Sequence, residues 1–110
     1  MNIEEYRDFC LSLPGVTEDF PFDQETLVFK VGRKIFSLTD VDDFRSVNLK
    51  CDPEKAVELR EQYSSVTPGY HMSKKHWNTV LTDIPDPLLK QWTRDSYDLV
   101  FAGLSKKIRI

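Results

Sequence analysis

Residues 26–51 read TLVFKVGRKIFSLTDVDDFRSVNLKC. Side chains of a β-strand alternate between its two faces, so an apolar period of two marks a strand with one buried face. Leu27, Phe29 and Val31 fall on one face of a first strand, with Val28 and Lys30 on the other. Gly32-Arg33 then supplies a two-residue turn, since glycine accepts positive φ. A second strand runs from Lys34 to Thr39, with Phe36 and Leu38 in alternation. The acidic tract Asp40-Val41-Asp42-Asp43 makes the next turn, and a third strand, Arg45 to Cys51, points Val47, Leu49 and Cys51 inward. Connections this short require an antiparallel sheet.

On both sides of this stretch the period changes to that of a helix. Ile3, Tyr6, Phe9, Cys10 and Leu13 make one apolar face of a first helix, capped by Asn2 with Glu5 as capping-box partner and stopped by Pro14-Gly15. A short extended segment follows around Phe20-Pro21-Phe22. After the sheet, Asp52-Pro53 opens a second helix with Ala56, Leu59 and Tyr63 as its stripe. His76 to Thr82 has strand propensity. Asp86-Pro87 caps a final helix that carries Leu88, Leu89, Trp92, Ser96, Leu99 and Val100 and ends at Gly103, ahead of a basic tail, SKKIRI. The predicted class is α+β: an antiparallel sheet flanked by N-terminal, middle and C-terminal helices, in one domain over residues 1–110.

Composition narrows the function classes. At 40% hydrophobic and 30% charged, the chain reads as soluble and globular, without an apolar run long enough to span a membrane. Its start, MNIEEYRDF, is acidic where a signal peptide is basic and then apolar, which points to the cytoplasm. Cys10 and Cys51 lack metal-site or disulfide spacing and read as buried free thiols. The net charge of −3 is unevenly spread: residues 1–25 hold seven carboxylates against Arg7 alone, so the remainder is net positive. A basic face is thus permitted in an acidic protein.

The window VTPGYHMSKKHWNTV, residues 66–80, holds both histidines, Lys74-Lys75, Tyr70 and Trp77 and no acidic residue. Pro68-Gly69 is turn chemistry. Trp77 stands between the polar His76 and Asn78, so alternation sends it inward as a core residue. Lys74 and Lys75 read either as a solvated turn or as amines that reach phosphates.

LPGVTEDFPF (13–22), LKCDPEKA (49–56), the 66–80 window and SYDLV (96–100), in this order and spacing, closely resemble the MmcQ/YjbR family of small bacterial proteins. The resemblance spans nearly the whole chain. It implies an α+β fold similar to the frataxin-like CyaY proteins. It also implies the DNA binding with which members are labelled, through a double wing of strands and loops. The family motif falls on Lys50, Pro53, Pro68, Gly69, Tyr70, His71, Lys74, Lys75, His76 and Trp77, with Lys34 and Phe36 matching a basic-aromatic pattern on the hairpin.

The expectation is therefore a cytoplasmic, monomeric protein that binds DNA weakly through Lys34, Lys50, His71, Lys74, Lys75 and His76, with Lys30, Arg33 and Arg45 extending the surface. One alternative is frataxin-like cation binding by Glu4, Glu5, Asp8, Glu18, Asp19 and Asp23; another is a protein-interaction module without nucleic acid. His71 and His76 lack further ligands at metal-site spacing, and a Cys51–His71 pair would place the thiol on an apolar face where it is inert. No enzyme activity, catalytic residue, metal or cofactor is expected.

Overall fold

The computed structural model describes residues 1–70 and 72–104. His71 and the basic tail after Leu104 lie outside the described residues. Three helices, α1 (Ile3–Ser12), α2 (Pro53–Gln62) and α3 (Asp86–Ala102), accompany six strands: β1 (Val16–Asp19), β2 (Thr26–Val31), β3 (Lys34–Asp40), β4 (Ser46–Lys50), β5 (Val66–Pro68) and β6 (Trp77–Leu81). The strands form one antiparallel sheet in the order β1-β2-β3-β4-β6-β5. The α+β reading stands. Two strands escaped it, β1 and β5, which are short edge strands of four and three residues with little alternation to betray them.

The local signals act as their chemistry requires. Asn2 accepts from the Glu5 N–H, and the Glu5 carboxylate accepts from the Asn2 N–H, completing the capping box. Asp52 caps α2 through the Lys55 N–H. Asp86, however, is the first residue of α3 rather than its cap, a position held by Pro85 without a side-chain bond. Gly32 and Arg33 both have positive φ, 56° and 69°, as a tight hairpin of primed type needs. Gly32 is also pinned sterically, because a Cβ there would run into the Leu104 side chain.

All three helices pack on one face of the sheet. The core between the layers includes Tyr6, Cys10, Phe29, Phe36, Val47, Val80, Leu89 and Val100. Burial holds the Cys10 thiol neutral, its pKa pushed up to about 12. A β-bulge modifies the predicted register: Phe29 pairs with Ser37, but the next residue, Lys30, pairs with Ile35, so Phe36 is an extra residue on β3. Phe36 packs edge-on against Tyr97 of α3 at 5.4 Å, while the Ser37 hydroxyl meets Tyr6 of α1. Both therefore face the helices, and Leu38 turns to the opposite face with Val28, where both are buried outside the main core. Strict alternation of Phe36 and Leu38 would have been the unbulged pattern. The buried stripe of α3 likewise includes Thr93, Ser96 and Tyr97, while Leu99 is exposed at its margin.

One buried hydroxyl joins the layers. Tyr6 Oη lies 2.7 Å from Ser37 Oγ and 3.0 Å from Thr93 Oγ1, so α1, β3 and α3 meet at one point. Tyr6→Phe strips both partners and should cost about 1–3 kcal/mol, seen as a lower urea midpoint at unchanged slope. Adding Ser37→Ala and Thr93→Val should recover part of that loss, because no orphaned hydroxyl then remains. A Tyr6→Phe midpoint equal to wild type would show that the network holds nothing together.

Candidate functional site

Strand direction sorts the charges. The β2–β3 turn, the end of β4 and the start of β6 share one end of the sheet, and this end carries Arg33, Lys34, Lys50, Lys74, Lys75 and His76. The other end holds Asp23 and Glu25 before β2 and Asp40, Asp42 and Asp43 after β3. Asp52, the N-cap of α2, and Glu54 in its first turn follow directly on β4. Two residues expected on the basic surface do not join it. Arg45 sits at the acidic end and pairs with Asp43 at 3.0 Å, and Lys30 is drawn to Asp19 at 3.7 Å.

At the basic end, β3 and β4 part. Their pairing runs from Thr39↔Val47 to Ser37↔Leu49 and stops there, leaving Lys34, Ile35 and Phe36 without β4 partners. The separation is held by Ser96 of α3, whose side chain is buried. Its hydroxyl donates to the Phe36 carbonyl at 2.6 Å and accepts the Lys50 N–H at 2.9 Å. A side chain thus stands between two groups that an unbroken ladder would bond directly. The gap continues into a groove of about 500 Å³ with Lys34 and Ile35 on one side and Lys50 and Trp77 on the other. Arg33 borders it, and the end of α3 and the residues after it close it with Leu99, Val100, Gly103 and Leu104. No carboxylate lines it among the described residues.

Trp77 is not a core residue. It is half-buried and pairs with Lys50 on the sheet face away from the helices, while its polar neighbour Asn78 is the one that is buried. The inversion has a cause on α2. Arg60 Nε donates to Asn78 Oδ1 at 2.7 Å, and Asn78 Nδ2 donates to the Ala56 carbonyl at 3.4 Å, so the buried amide is satisfied. The same guanidinium bonds the Lys74 carbonyl and reaches the Trp77 carbonyl at 3.3 Å, fixing the 69–77 loop from behind. Gly69 donates its N–H to the Trp77 carbonyl at 2.8 Å, and a Cβ there would lie 2.8 Å from that of Trp77. Lys74 Nζ rests 3.4 Å from the Gly69 carbonyl, and Lys75 and the His76 side chain are exposed. The residues missed from sequence are Ser96, Arg60 and Asn78; each acts by bonding backbone or amide groups remote in sequence, which leaves no local pattern.

Four of the six acidic N-terminal candidates have partners. Glu5 belongs to the capping box, Glu18 to Arg7 at 2.7 Å, Asp19 to Lys30, and Asp23 accepts the Glu25 and Thr26 N–H groups, which lowers its pKa. Among the described residues, no three His, Cys, Asp or Glu side chains converge as metal ligands. Cys51 departs from the buried-thiol reading as well: it is half-buried, beside a cavity between α2 and α3.

Ser96→Ala leaves the Phe36 carbonyl and the Lys50 N–H without their shared partner. The expected loss is about 1–3 kcal/mol by urea unfolding. Wild-type stability would mean that the two strands close on each other without the hydroxyl, and that Ser96 does not hold the groove open.

A profile of the YjbR family matches residues 11–99. Over 107 residues the chain is 41% identical to the uncharacterized protein YbdF of Escherichia coli O157:H7, covering 94% of this chain and 88% of that one. It is 34% identical over 100 residues to the uncharacterized protein YjbR of Escherichia coli K12, covering 88% and 85%. The crystal structure of a Deinococcus radiodurans protein of domain family DUF419 superposes with a TM-score of 0.90 at 44% identity, covering 98% of this chain and 85% of that one. A Pseudomonas syringae protein superposes at 0.76 with 25% identity, covering 90% and 98%. With a family profile over most of its length and relatives of this similarity, the chain belongs to the YjbR family.

Proposed function

We propose that the basic end of the sheet binds the phosphate backbone of DNA, weakly and without sequence preference. The observation that carries this reading is the groove: Arg33, Lys34 and Lys50 around a half-buried Trp77, with no carboxylate among the described lining residues. Three cations beside an aromatic face are the two elements that recognise a nucleic-acid strand, charge for phosphates and a ring for a base. Lys74, Lys75 and His76 on the adjoining loop add donors in the same direction, and Arg60 holds that loop to the body of the protein. The acidic far end favours one orientation by repelling the strand. With about three to five phosphate contacts, affinity falls in the micromolar range or weaker at physiological salt. No bond is made or broken in this reading, so the protein acts as a binding module. On the described acidic N-terminal face no three carboxylates converge as metal ligands, and Glu18, Asp19 and Asp23 already have partners.

Lys34→Gln combined with Lys50→Gln should weaken binding of a fluorescent single-stranded oligonucleotide and reduce the salt slope by about 1.4, near 0.7 per lost contact. Arg45→Gln, at the acidic end, should leave both unchanged. Trp77→Ala should lose about 1–3 kcal/mol of single-strand affinity. Its stability cost should stay well below the roughly 3–5 kcal/mol of a true core truncation. Affinities and slopes equal to wild type in the lysine variant would remove the groove from any nucleic-acid site.

A further inference from the structure

The sheet face away from the helices carries a second aromatic ring next to Trp77. At the basic end this face presents Lys50 and Trp77, paired across β4 and β6, and then Asn48 and Thr79 in the next outward row. Thr79 Oγ1 donates to Asn48 Oδ1 at 2.6 Å. Gly69 still follows the ladder, with its N–H on the Trp77 carbonyl at 2.8 Å. The next N–H leaves it: Tyr70 donates to Thr79 Oγ1 at 3.0 Å, an outward side chain two residues further along β6 than Trp77. The chain therefore turns back over β6 instead of running off its end. Gly69 packs so closely on Trp77 that a Cβ there would lie 2.8 Å from the Trp77 Cβ, so the residue that follows, Tyr70, is set beside Trp77.

The two rings differ in depth. Trp77 is half-buried, whereas Tyr70, at 70% exposure, is the most exposed large apolar side chain among the described residues. Arg60 fastens the far side of the same loop through the Lys74 and Trp77 carbonyls. An aromatic held in water beside a second ring and beside Arg33, Lys34 and Lys50 is surface that a planar, anionic partner would cover.

Base pairing decides which nucleic acid fits such a surface. In a duplex each base is covered above and below by its neighbours and turns only its edge outward, so neither ring meets a base face without unstacking it. A single strand turns its bases out at little cost. A site made of charge alone would show the opposite preference, because the duplex carries the denser phosphate charge. We propose, on the phosphate-binding reading of the groove, that this surface selects single-stranded over duplex DNA by stacking one base on Trp77 and a neighbouring base on Tyr70, with Lys34 and Lys50 at the phosphates.

The test uses the full chain and three fluorescent probes at low salt. One is a mixed-sequence single strand of about ten nucleotides, within the usual site size of a single-strand groove. The second is the same strand in a duplex whose ends are closed by non-nucleotide linkers. The third is an abasic strand of equal length, which keeps the phosphates and lacks the rings. The single strand should bind about fivefold or more tighter than either of the others. Tyr70→Ala, an exposed change, should weaken single-strand binding by about fivefold or more at an unchanged salt slope, since no phosphate contact is lost. Tyr70→Phe should stay near wild type, and the abasic strand should bind wild type and Tyr70→Ala alike. Duplex or abasic strand bound as tightly as the single strand, or single-strand affinity unaltered in Tyr70→Ala, would overturn the stacking and leave the phosphate reading in place. Failure of wild type to bind all three probes would overturn both.

Discussion

The hydroxyl of Ser96 occupies the place of a ladder hydrogen bond. It donates a hydrogen bond to the Phe36 carbonyl and accepts one from the Lys50 N–H, in a side chain with no exposure to water. An unmet backbone group in such a place is costly, so β3 and β4 can separate only where something else satisfies both. The bulge at Phe36 adds the residue that the separation needs, and Phe36 spends its ring against Tyr97 of the same helix. One buried side chain on α3 thereby sets where the sheet opens, and the opening decides which side chains can surround a ligand.

What surrounds the gap follows from strand direction. In an antiparallel sheet the connections alternate between the two ends, and here one end collects lysine and arginine while the other collects aspartate. A chain of net charge −3 can thus present a cationic surface without contradiction. Arg60 turns its guanidinium to this arrangement: it serves Asn78 and two loop carbonyls. Lys74, by contrast, reaches a backbone carbonyl with its ammonium. The division of labour is physical, since a planar guanidinium can serve several acceptors at once while an ammonium suits a mobile phosphate contact.

Much of the fold was legible in residues 26–51 and in the caps of α1 and α2, because those features act locally. The strands β1 and β5 were not, since an edge strand of three or four residues needs only a neighbour to pair with. Trp77 misled for a definite reason. The rule that the large apolar residue points inward assumes that a buried amide goes unsatisfied, and Arg60 satisfies Asn78. Spacing alone places Ser96 in the α3 stripe and passes over Thr93; both are fully buried partners, of backbone and of tyrosine. The clustering of Lys34, Lys50 and Lys74 required strand order, which residue types alone do not convey. The cavity at Cys51 required the angle between two helices, for which a sequence carries no local sign.

The most direct measurement is a ¹H–¹⁵N spectrum of labelled protein during titration with a short single-stranded oligonucleotide. Binding in the groove predicts that amides at 32–35, 49–51 and 73–77 shift together, along with the Trp77 indole. Those at 40–43, 83, 84 and 86 should stay in place. Shifts concentrated at the acidic end, or spread evenly over the surface, would contradict the account.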